Sequence, residues 1–319
     1  MIKRIEKKVR QIMNRVPVPW AMLGSFSCMI ARKFPMKSPP LLVLSMPRSG
    51  SSWIGSVLGS SKSAAYLHEP ITQSYLRHVG VRSLTTFEVL PEDPPQVYEL
   101  ATDNTFAGIP AFPKRITRKR SQWKLKDRKQ KRLVVKEVNP LAVKWFIDKY
   151  KPRIIYIIRH PAAVANSFSA LGWMGSRYFK IMFSERTRQN MKFKYDKFDT
   201  SFWSSFGAVQ SVVTNMSVEV LKDHGDYKII KYEDVCSNPL ETFRQLYRFA
   251  ELEWDSDVEE LIVSQSTSEE SSVTGEYGEK RNSGSIVNKW KKEMGQNEID
   301  ELRAAYTACD PSYYNADQW

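Results

Sequence analysis

A short apolar segment followed by a serine-rich turn constrains the fold of this chain more than any other feature of its sequence. Residues 41–44 are Leu-Leu-Val-Leu, and they lie between Pro39-Pro40 and Pro47. This length and setting are typical of a buried parallel strand. Residues 47–53, Pro-Arg-Ser-Gly-Ser-Ser-Trp, come next, and a helical spacing of apolar residues begins at Ile54. The sequence therefore predicts a strand, a tight turn and a helix start in immediate succession.

The turn is equipped to hold a phosphate or a sulfate. Backbone N–H groups in the first turn of a helix lack intrahelical partners, and the helix dipole favours negative charge there. Arg48 adds a fixed positive charge, and three hydroxyls flank Gly50, those of Ser49, Ser51 and Ser52. The nucleoside-triphosphate loop G-x-x-x-x-G-K-[ST] is a different motif, because the first Gly is missing here and no Lys follows Gly50. The turn alone leaves open whether an anion binds.

Further apolar segments predict more strands of the same sheet. They are residues 133–135, 154–158 and 227–230. Apolar residues at steps of three and four from Phe202 to Val220 predict a long helix that ends near Gly225. Strands that alternate with helices predict an α/β protein with a P-loop-like three-layer fold, whose central, mainly parallel sheet is flanked by helices.

A second candidate anion site follows the segment at 154–158. Arg159 comes directly after it, Pro161 can start a helix, and Ser167 lies two turns along that helix. An arginine at the end of a strand and a hydroxyl on the adjoining helix can clamp a phosphate. Taken alone, Arg159 could equally pair with a surface carboxylate.

The charge of the chain favours anionic partners. Lys and Arg number 48 against 35 Asp and Glu, a net charge of +13. Residues 114–132 hold eleven of the basic residues. This basic stretch is either a solvated face or a funnel that guides an anionic acceptor. No recognised nucleic-acid motif accompanies it, so we expect no nucleic-acid partner.

The N-terminus combines charge with a broken apolar segment. Residues 1–15 carry six basic residues, and the apolar segment from Val16 to Ala31 contains Pro17 and Pro19. That segment is shorter than the roughly 20 residues of a membrane span. Three interpretations remain open: a helix packed on the domain, a peripheral membrane contact through the N-terminus, and an export signal or anchor. Three scattered cysteines predict neither a metal site nor a disulfide framework. We therefore expect a cytoplasmic protein that either stays in solution or associates with a membrane.

Taken together, these segments resemble the family of sulfotransferases that depend on 3′-phosphoadenosine 5′-phosphosulfate (PAPS). Residues 47–53 resemble its 5′-phosphosulfate loop, and Arg159 with Ser167 resembles its 3′-phosphate motif. Residues 232–234, Tyr-Glu-Asp, followed by Asn238-Pro239, resemble a segment that the family carries after a late strand. The resemblance covers roughly residues 40–310. We therefore expect a basic N-terminal segment at 1–37, a sulfotransferase domain at 38–319 and PAPS as co-substrate without a metal.

The resemblance implies a role for each matching residue. The 5′-phosphosulfate would be held by Arg48, Ser49, Gly50, Ser51 and Ser52. Trp53 would stack on or flank the adenine, Tyr232 would reach the edge of the base, and Arg159 with Ser167 would hold the 3′-phosphate. Arg281 and Gly284 resemble the late basic-Gly element, although Arg281-Asn282-Ser283-Gly284 departs from the family's compact R-K-G form.

The catalytic base is where this sequence departs most from the family. Cytosolic small-molecule members carry K-T-H with a His base, and the matching segment here is Lys136-Glu137-Val138. Carbohydrate- and protein-directed members instead use a Glu shortly after the first helix, and Glu69 in Tyr66-Leu67-His68-Glu69-Pro70 fits that pattern. Glu69 is therefore the first candidate, with His68 and then Glu137 in reserve, while Arg48 would stabilise charge on the bridging oxygen.

The sequence predicts a sulfotransferase that moves a sulfuryl group from PAPS to a hydroxyl or amine. The acceptor is expected to be a carbohydrate, a lipid or another polar metabolite, and the basic stretch suggests an anionic one. Two other functions stay open. A P-loop kinase would need a Lys in the loop and a metal-binding carboxylate, and a polyanion-binding module would rest on residues 114–132 alone.

Overall fold

Five parallel strands form the central sheet of the computed structural model, which describes residues 18–80, 84–175, 177–191, 194–266 and 287–319. In the sheet the strands follow the order β2-β3-β1-β4-β5, and each neighbouring pair is parallel. The strands are β1 Lys37–Ser45, β2 Ala64–His68, β3 Arg132–Glu137, β4 Arg153–Ile158 and β5 Tyr227–Lys231.

The four predicted strands are confirmed, and β2 is an addition. Ala64 to His68 is an edge strand of five residues whose side chains are all buried. Its sequence, Ala-Ala-Tyr-Leu-His, combines helix-favouring alanines with a polar end, so a short apolar pattern could not distinguish it from a helix.

Helices and short 3₁₀ turns connect and cover the strands. The long helix predicted from Phe202 onwards is confirmed, and it ends at Gly225, whose φ of 80° suits a glycine. The 3₁₀ turns are Pro19–Met22, Arg120–Trp123, Leu125–Gln130, Pro140–Ala142, Tyr195–Phe198 and Ala316–Gln318. The helices are α1 Ser25–Lys33, α2 Ser51–Leu58, α3 Pro70–Val79, α4 Gln96–Phe106, α5 Lys114–Thr117, α6 Val143–Tyr150, α7 Pro161–Ser169, α8 Tyr178–Met182, α9 Glu185–Gln189, α10 Phe202–His224, α11 Tyr232–Ser237, α12 Pro239–Ala250, α13 Ser256–Ser266, α14 Trp290–Glu293 and α15 Gln296–Thr307.

Both faces of the sheet are covered, which makes three layers. Leu42 and Leu44 of β1 join one core cluster with residues of α4, α6, α10 and α15, while Leu41 and Val43 join another with residues of α2, α12 and α13. Strands buried on both faces appear in sequence as continuous apolar runs. The predicted three-layer α/β fold is confirmed.

The ends of β1 and β4 set the position of the site. Ser45 pairs with Ile157, so the two strands end side by side in the centre of the sheet. The chain leaves β1 towards β2 at one edge and leaves β4 towards β5 at the other. Adjacent strands whose connections diverge in this way open a crevice at their carboxyl ends, where ligands bind in α/β proteins.

The described part of the N-terminal segment packs on the domain. Val18, Ala21 and Ala31 belong to the same core cluster as Leu42. Residues 1–17, which carry the predicted basic charge, lie outside the described residues. Across the described ranges no helix combines the length and apolar character needed to cross a bilayer. The boundary between residues 37 and 38 stays a prediction.

The basic stretch at 114–132 has both structural and exposed members. Arg128 is buried and donates to the backbone carbonyls of Phe34, Ala107 and Gly108. Arg132 is buried as well and pairs with Glu251 at 2.5 Å. Most of the other cations of the stretch are exposed. The prediction of a solvated face or funnel therefore applies to the exposed members alone.

Candidate functional site

Two residues of the turn after β1 have backbone angles in the left-handed region. Arg48 has a φ of 68° and Gly50 a φ of 88°, and α2 starts directly after Gly50. The resulting tight turn puts the N-terminus of a helix at the carboxyl end of the central strand. This is the strand, turn and helix start that the sequence predicts for an anion site.

Gly50 is required for a second reason, which is contact with Tyr232. A Cβ atom added to Gly50 would lie 2.2 Å from the Tyr232 ring, far inside van der Waals distance. Tyr232 is fully buried at the start of α11, after β5. The turn after β1 and the segment after β5 therefore pack directly on each other.

Arg48 and Ser167 are joined by a hydrogen bond. The Nε–H of Arg48 donates to the Ser167 hydroxyl at 2.8 Å. Arg159 closes the same arrangement, because its Nη1 donates to the carbonyl of Arg48 at 2.9 Å. Its guanidinium also lies over the Tyr232 ring, 4.7 Å from the centroid. The two predicted phosphate-binding segments thus form one cluster of positive charge and hydroxyl groups at the tips of β1 and β4.

The serines of the turn differ in their surroundings. Ser49 and Ser51 are buried, and the Ser51 hydroxyl lies 2.8 Å from the hydroxyl of Ser45 at the end of β1. Ser52 is half-buried. Ser51 is therefore tied to the strand, while Ser52 retains contact with solvent at the helix start.

Trp53 lies in the core beneath the turn. It is 3% exposed and makes edge contacts with the rings of Tyr232 and Phe243, with ring centroids 6.2 Å and 5.3 Å apart respectively. Of the two roles expected for it, flanking the base fits this packing better than stacking on it. Arg281 and Gly284, the expected late basic-Gly element, lie outside the described residues.

Glu233, which follows β5, forms hydrogen bonds that connect the end of β5 with the end of β4. One carboxylate oxygen accepts from the backbone N–H of His160 at 2.9 Å, and the other accepts from the Tyr314 hydroxyl at 2.6 Å. His160 itself stacks on Trp290 with ring centroids 4.5 Å apart. Burial lowers the pKa of His160 to about 4, so this imidazole is neutral near pH 7 and serves packing.

A second cluster of ionisable groups lies beside the turn after β1, at the carboxyl ends of β2 and β3. Glu69 directly follows β2, with a φ of 51°, and is 6% exposed, and Lys136 of β3 donates to its Oε1. Gln73 donates to the other carboxylate oxygen at 3.1 Å. The Lys136 stem packs against α2, since a Cβ on Gly55 would lie 3.1 Å from it. The Glu69–Lys136 pair is thus built against the helix that begins at the turn.

Lys136 keeps Glu69 ionised. Burial opposes the charge of Glu69, but the nearby positive charge of Lys136 and the hydrogen bonds from Lys136 and Gln73 outweigh it, lowering the pKa of Glu69 to about 2. Burial, followed by the charge of Lys136, lowers the pKa of His68 to about 3. At neutral pH Glu69 is therefore a carboxylate and His68 an uncharged imidazole, whose Nδ1 lies 2.8 Å from the Tyr66 hydroxyl.

Glu137, the reserve candidate for the base, holds the start of α3. It has no exposed surface, and one carboxylate oxygen accepts from the Ile71 N–H at 2.7 Å. The other accepts from the Thr72 hydroxyl at 2.6 Å. These donors favour the carboxylate, but burial dominates and raises the pKa of Glu137 to about 7. Glu137 fixes the backbone that follows Glu69 and is sealed from any acceptor.

Sequence reasoning missed Lys136 as a site residue. The available signal was a lysine within the apolar strand Leu133-Val134-Val135, since a buried lysine needs an anionic partner. Arg118 was placed in the basic stretch, yet its charge also contributes to the lowered pKa of His68. One member of the basic stretch therefore lies within electrostatic reach of the second cluster.

Comparisons with known proteins agree on one family. Residues 38–313 match the family model described as "Sulfotransferase domain". Human carbohydrate sulfotransferase 3 is 32% identical over 88 residues, which cover 28% of this chain and 18% of that protein. Carbohydrate sulfotransferase 1 of Rattus norvegicus is 28% identical over 85 residues, 27% of this chain and 20% of that protein. The matches span about a fifth of the length of these relatives.

Two solved structures are also among the proteins to which this chain is similar. The sulfotransferase domain from the curacin biosynthetic pathway is 15% identical, with a TM-score of 0.45, and covers 85% of this chain and 98% of that one. Mouse sulfotransferase SULT7A1 complexed with PAP is 14% identical, with a TM-score of 0.42, covering 91% of this chain and 90% of that one.

Proposed function

Because the chain belongs to the sulfotransferase domain family, we propose that it transfers a sulfuryl group from PAPS to a hydroxyl or amine of an acceptor. The observation that carries the proposal is the contact between the two phosphate-binding segments. Arg48 donates to Ser167, and Arg159 donates to the carbonyl of Arg48. One ligand with anionic groups at both ends can therefore bind both segments.

The nucleotide is held at its two ends. Arg48 and residues 49–52 bind the 5′-phosphosulfate at the start of α2, where the helix dipole favours negative charge. Arg159 and Ser167 bind the 3′-phosphate. Tyr232, packed under Arg159, lies against the edge of the adenine with Trp53 behind it. The family resemblance assigns Arg281 and Gly284 to the 3′-phosphate as well.

The reaction is an in-line displacement at sulfur. Glu69 accepts the proton of the acceptor hydroxyl, whose oxygen forms a bond to sulfur as the bond from sulfur to the phosphate oxygen breaks. 3′-Phosphoadenosine 5′-phosphate (PAP) leaves with the electron pair of that bond. Arg48 and the hydroxyls of Ser51 and Ser52 stabilise the charge on the leaving oxygen, and we propose that no metal takes part.

Glu69 is preferred over His68 and Glu137 as the base. Glu69 is ionised at neutral pH and keeps lone pairs beyond those used by Lys136 and Gln73. The uncharged His68 is the reserve candidate. Glu137 is fully enclosed and bonded to α3, so its role is to position Glu69.

The acceptor is an anionic carbohydrate, lipid or other polar metabolite. Arg118, close enough to lower the pKa of His68, supplies a positive charge beside the second cluster. The exposed cations of the basic stretch extend that charge along the surface. The protein acts in the cytoplasm with peripheral membrane contact, a location supported by its three scattered cysteines and its basic N-terminus.

Calorimetry with PAP and with ATP tests the proposed function. We expect PAP to bind and ATP to bind much more weakly, because ATP lacks a 3′-phosphate. A screen of acceptors with sulfur-labelled PAPS then identifies the sulfated product. Equal binding of ATP and PAP together with Mg²⁺-dependent ATP turnover would favour the kinase alternative.

A further inference from the structure

An exposed apolar face lies at the N-terminal end of the described chain. Ten large hydrophobic side chains are exposed among the described residues, and four of them fall within residues 22–29. Phe26 is 63% exposed and Met29 58%, whereas Ser27 and Ala31 are the residues of α1 buried against the domain. We call Met22, Leu23, Phe26 and Met29 the apolar face. A cluster of this kind on a protein surface marks an interaction site.

Hydrogen bonds from Trp20 and Arg128 hold residues 119–130 of the basic stretch beside this face. The indole N–H of Trp20 donates to the carbonyl of Trp123 at 3.1 Å. Arg128 donates to the carbonyl of Phe34 at 2.7 Å, and its guanidinium lies over the Trp20 ring at 5.1 Å. Residues 119–130 are therefore held against the segment that precedes and follows α1.

The neighbouring charges are almost all positive. The exposed cations of this region are Lys119, Arg120, Lys124, Lys126 and Lys129 of the basic stretch, with Arg32 and Lys33 at the end of α1. Asp127 is the single acidic residue among residues 114–132. The sequence before the face is similar in charge, since residues 1–15 hold six basic residues and one acid, Glu6. Any partner of this surface must accept apolar side chains and carry negative charge.

We infer that the apolar face and the cations of residues 119–129 dock the protein on an anionic phospholipid bilayer. Amphipathic surfaces with aromatic and aliphatic side chains on one part and Lys and Arg beside them lie in the interface of a membrane. The apolar side chains enter the acyl boundary, and the cations contact anionic headgroups. Such a surface needs no pocket of fixed shape, which suits flexible Met side chains beside separated lysines. The inference stands apart from the transfer activity.

Sedimentation with vesicles tests the inference on the full chain. The vesicles are phosphatidylcholine alone and phosphatidylcholine with about a quarter phosphatidylserine, a content that gives a clear negative surface potential. The wild type is expected to sediment with the anionic vesicles, to stay in solution with the neutral ones, and to be released by salt.

Two variants separate the apolar and charged contributions. Phe26→Ser with Met29→Ser should lower vesicle binding about tenfold or more, because two exposed apolar groups no longer enter the bilayer. Lys124→Ala, Lys126→Ala and Lys129→Ala together should lower it by about a hundredfold, since each cation near an anionic surface contributes about fivefold.

Matched controls carry the same changes elsewhere on the surface. Leu100→Ser with Val263→Ser removes two exposed apolar side chains, and Lys144→Ala, Lys180→Ala and Lys222→Ala remove three exposed charges. These controls should bind vesicles as the wild type does. All variants should keep PAP affinity and thermal stability, since the substituted side chains are exposed and lie outside the nucleotide and base clusters.

Three results would overturn the inference. The first is a wild type that does not sediment with anionic vesicles. The second is undiminished binding by the Phe26 and Met29 variant, which would assign binding to other residues. The third is a wild-type dimer in ultracentrifugation that this variant converts to a monomer, which would assign the face to a second copy of the chain. None of these results would bear on sulfuryl transfer.

Discussion

Arg48 and Ser167, 119 residues apart in the sequence, are joined by a hydrogen bond of 2.8 Å. The bond connects the turn after β1 with the helix after β4, the two central strands whose connections diverge. Each segment alone is ambiguous as an anion site, but together they present two guanidinium groups and several hydroxyls over one crevice. The proposed nucleotide site depends on this juxtaposition.

Arg159 is expected to supply most of the affinity for the 3′-phosphate. Arg159→Ala should weaken PAP binding by about 10²-fold or more, because a charge-assisted contact is lost and the guanidinium no longer packs on Tyr232. Ser167→Ala should have a smaller effect, about tenfold, from one hydrogen bond. Calorimetry measures both. Arg244→Ala, which removes a half-buried arginine paired with Glu259, is the control, and an equal loss there would contradict the assignment.

Gly50→Ala should damage the site sterically. The new Cβ would lie 2.2 Å from the buried Tyr232 ring, so either the turn or the ring must move. Gly225→Ala is a matched control, because Gly225 also has a positive φ but has no atom within 4 Å of an added Cβ. Thermal melts and PAP titrations should show a clearly larger loss for Gly50→Ala. Similar losses for both variants would mean that backbone strain, and not contact with Tyr232, decides the effect.

Glu69→Gln should abolish general-base help and slow transfer by about 10²–10⁴-fold, with PAP affinity retained. The substitution leaves Lys136 buried without its counter-charge, which itself costs stability. The double variant Glu69→Gln with Lys136→Met removes both charges. It should regain stability in urea unfolding but stay inactive. Recovery of activity along with stability would reduce Glu69 to a structural role.

The pH profile reports how Lys136 acts on Glu69. In the wild type the pKa of Glu69 is about 2, so the base is ionised across the neutral range and adds no acid limb there. In Lys136→Met the cation is gone while burial remains, so the pKa of Glu69 rises and the ionised fraction falls at low pH. The acid limb of kcat/KM should therefore move up by about one pH unit or more. An unchanged profile would contradict this coupling, and Lys144→Met is the control.

The free energy of unfolding should fall as pH rises because Glu137 has a raised pKa in the folded protein. Its pKa is raised from 4.5 to about 7 in the folded protein, so between these values the native state binds more protons than the unfolded state. The free energy of unfolding then falls with pH, by about 3 kcal/mol at most. The side chain of the Glu137→Gln variant stays neutral, so the stability of that variant should decline less between pH 5 and pH 8. Urea unfolding at these two pH values, which bracket a pKa of about 7, measures the difference. Equal declines in both proteins would contradict the linkage.

The sequence predicted the architecture because its signals are local. Apolar runs bounded by proline or charge marked four strands, and the periodicity from Phe202 onwards marked the long helix. The family resemblance also named the residues that meet at the strand tips. β2 escaped detection, since a five-residue edge strand with two alanines has no distinctive pattern.

The details of the site depend on tertiary contacts that the sequence does not carry. The bond between Arg48 and Ser167 and the packing of Tyr232 on Gly50 arise only when β1, β4 and β5 align. The pairing of Lys136 with Glu69 likewise requires β2 beside β3. Exposed and buried arginines of the basic stretch also look alike in sequence, and Arg128 is structural because three backbone carbonyls converge on it.

A crystal structure of the complex with PAP tests the central claim most directly. It should show the 5′-phosphate within hydrogen-bonding distance of the backbone N–H groups of residues 49–52, and the 3′-phosphate in contact with both Arg159 and Ser167. The nucleotide bound elsewhere, or bound with its 3′-phosphate away from Arg159 and Ser167, would contradict the account.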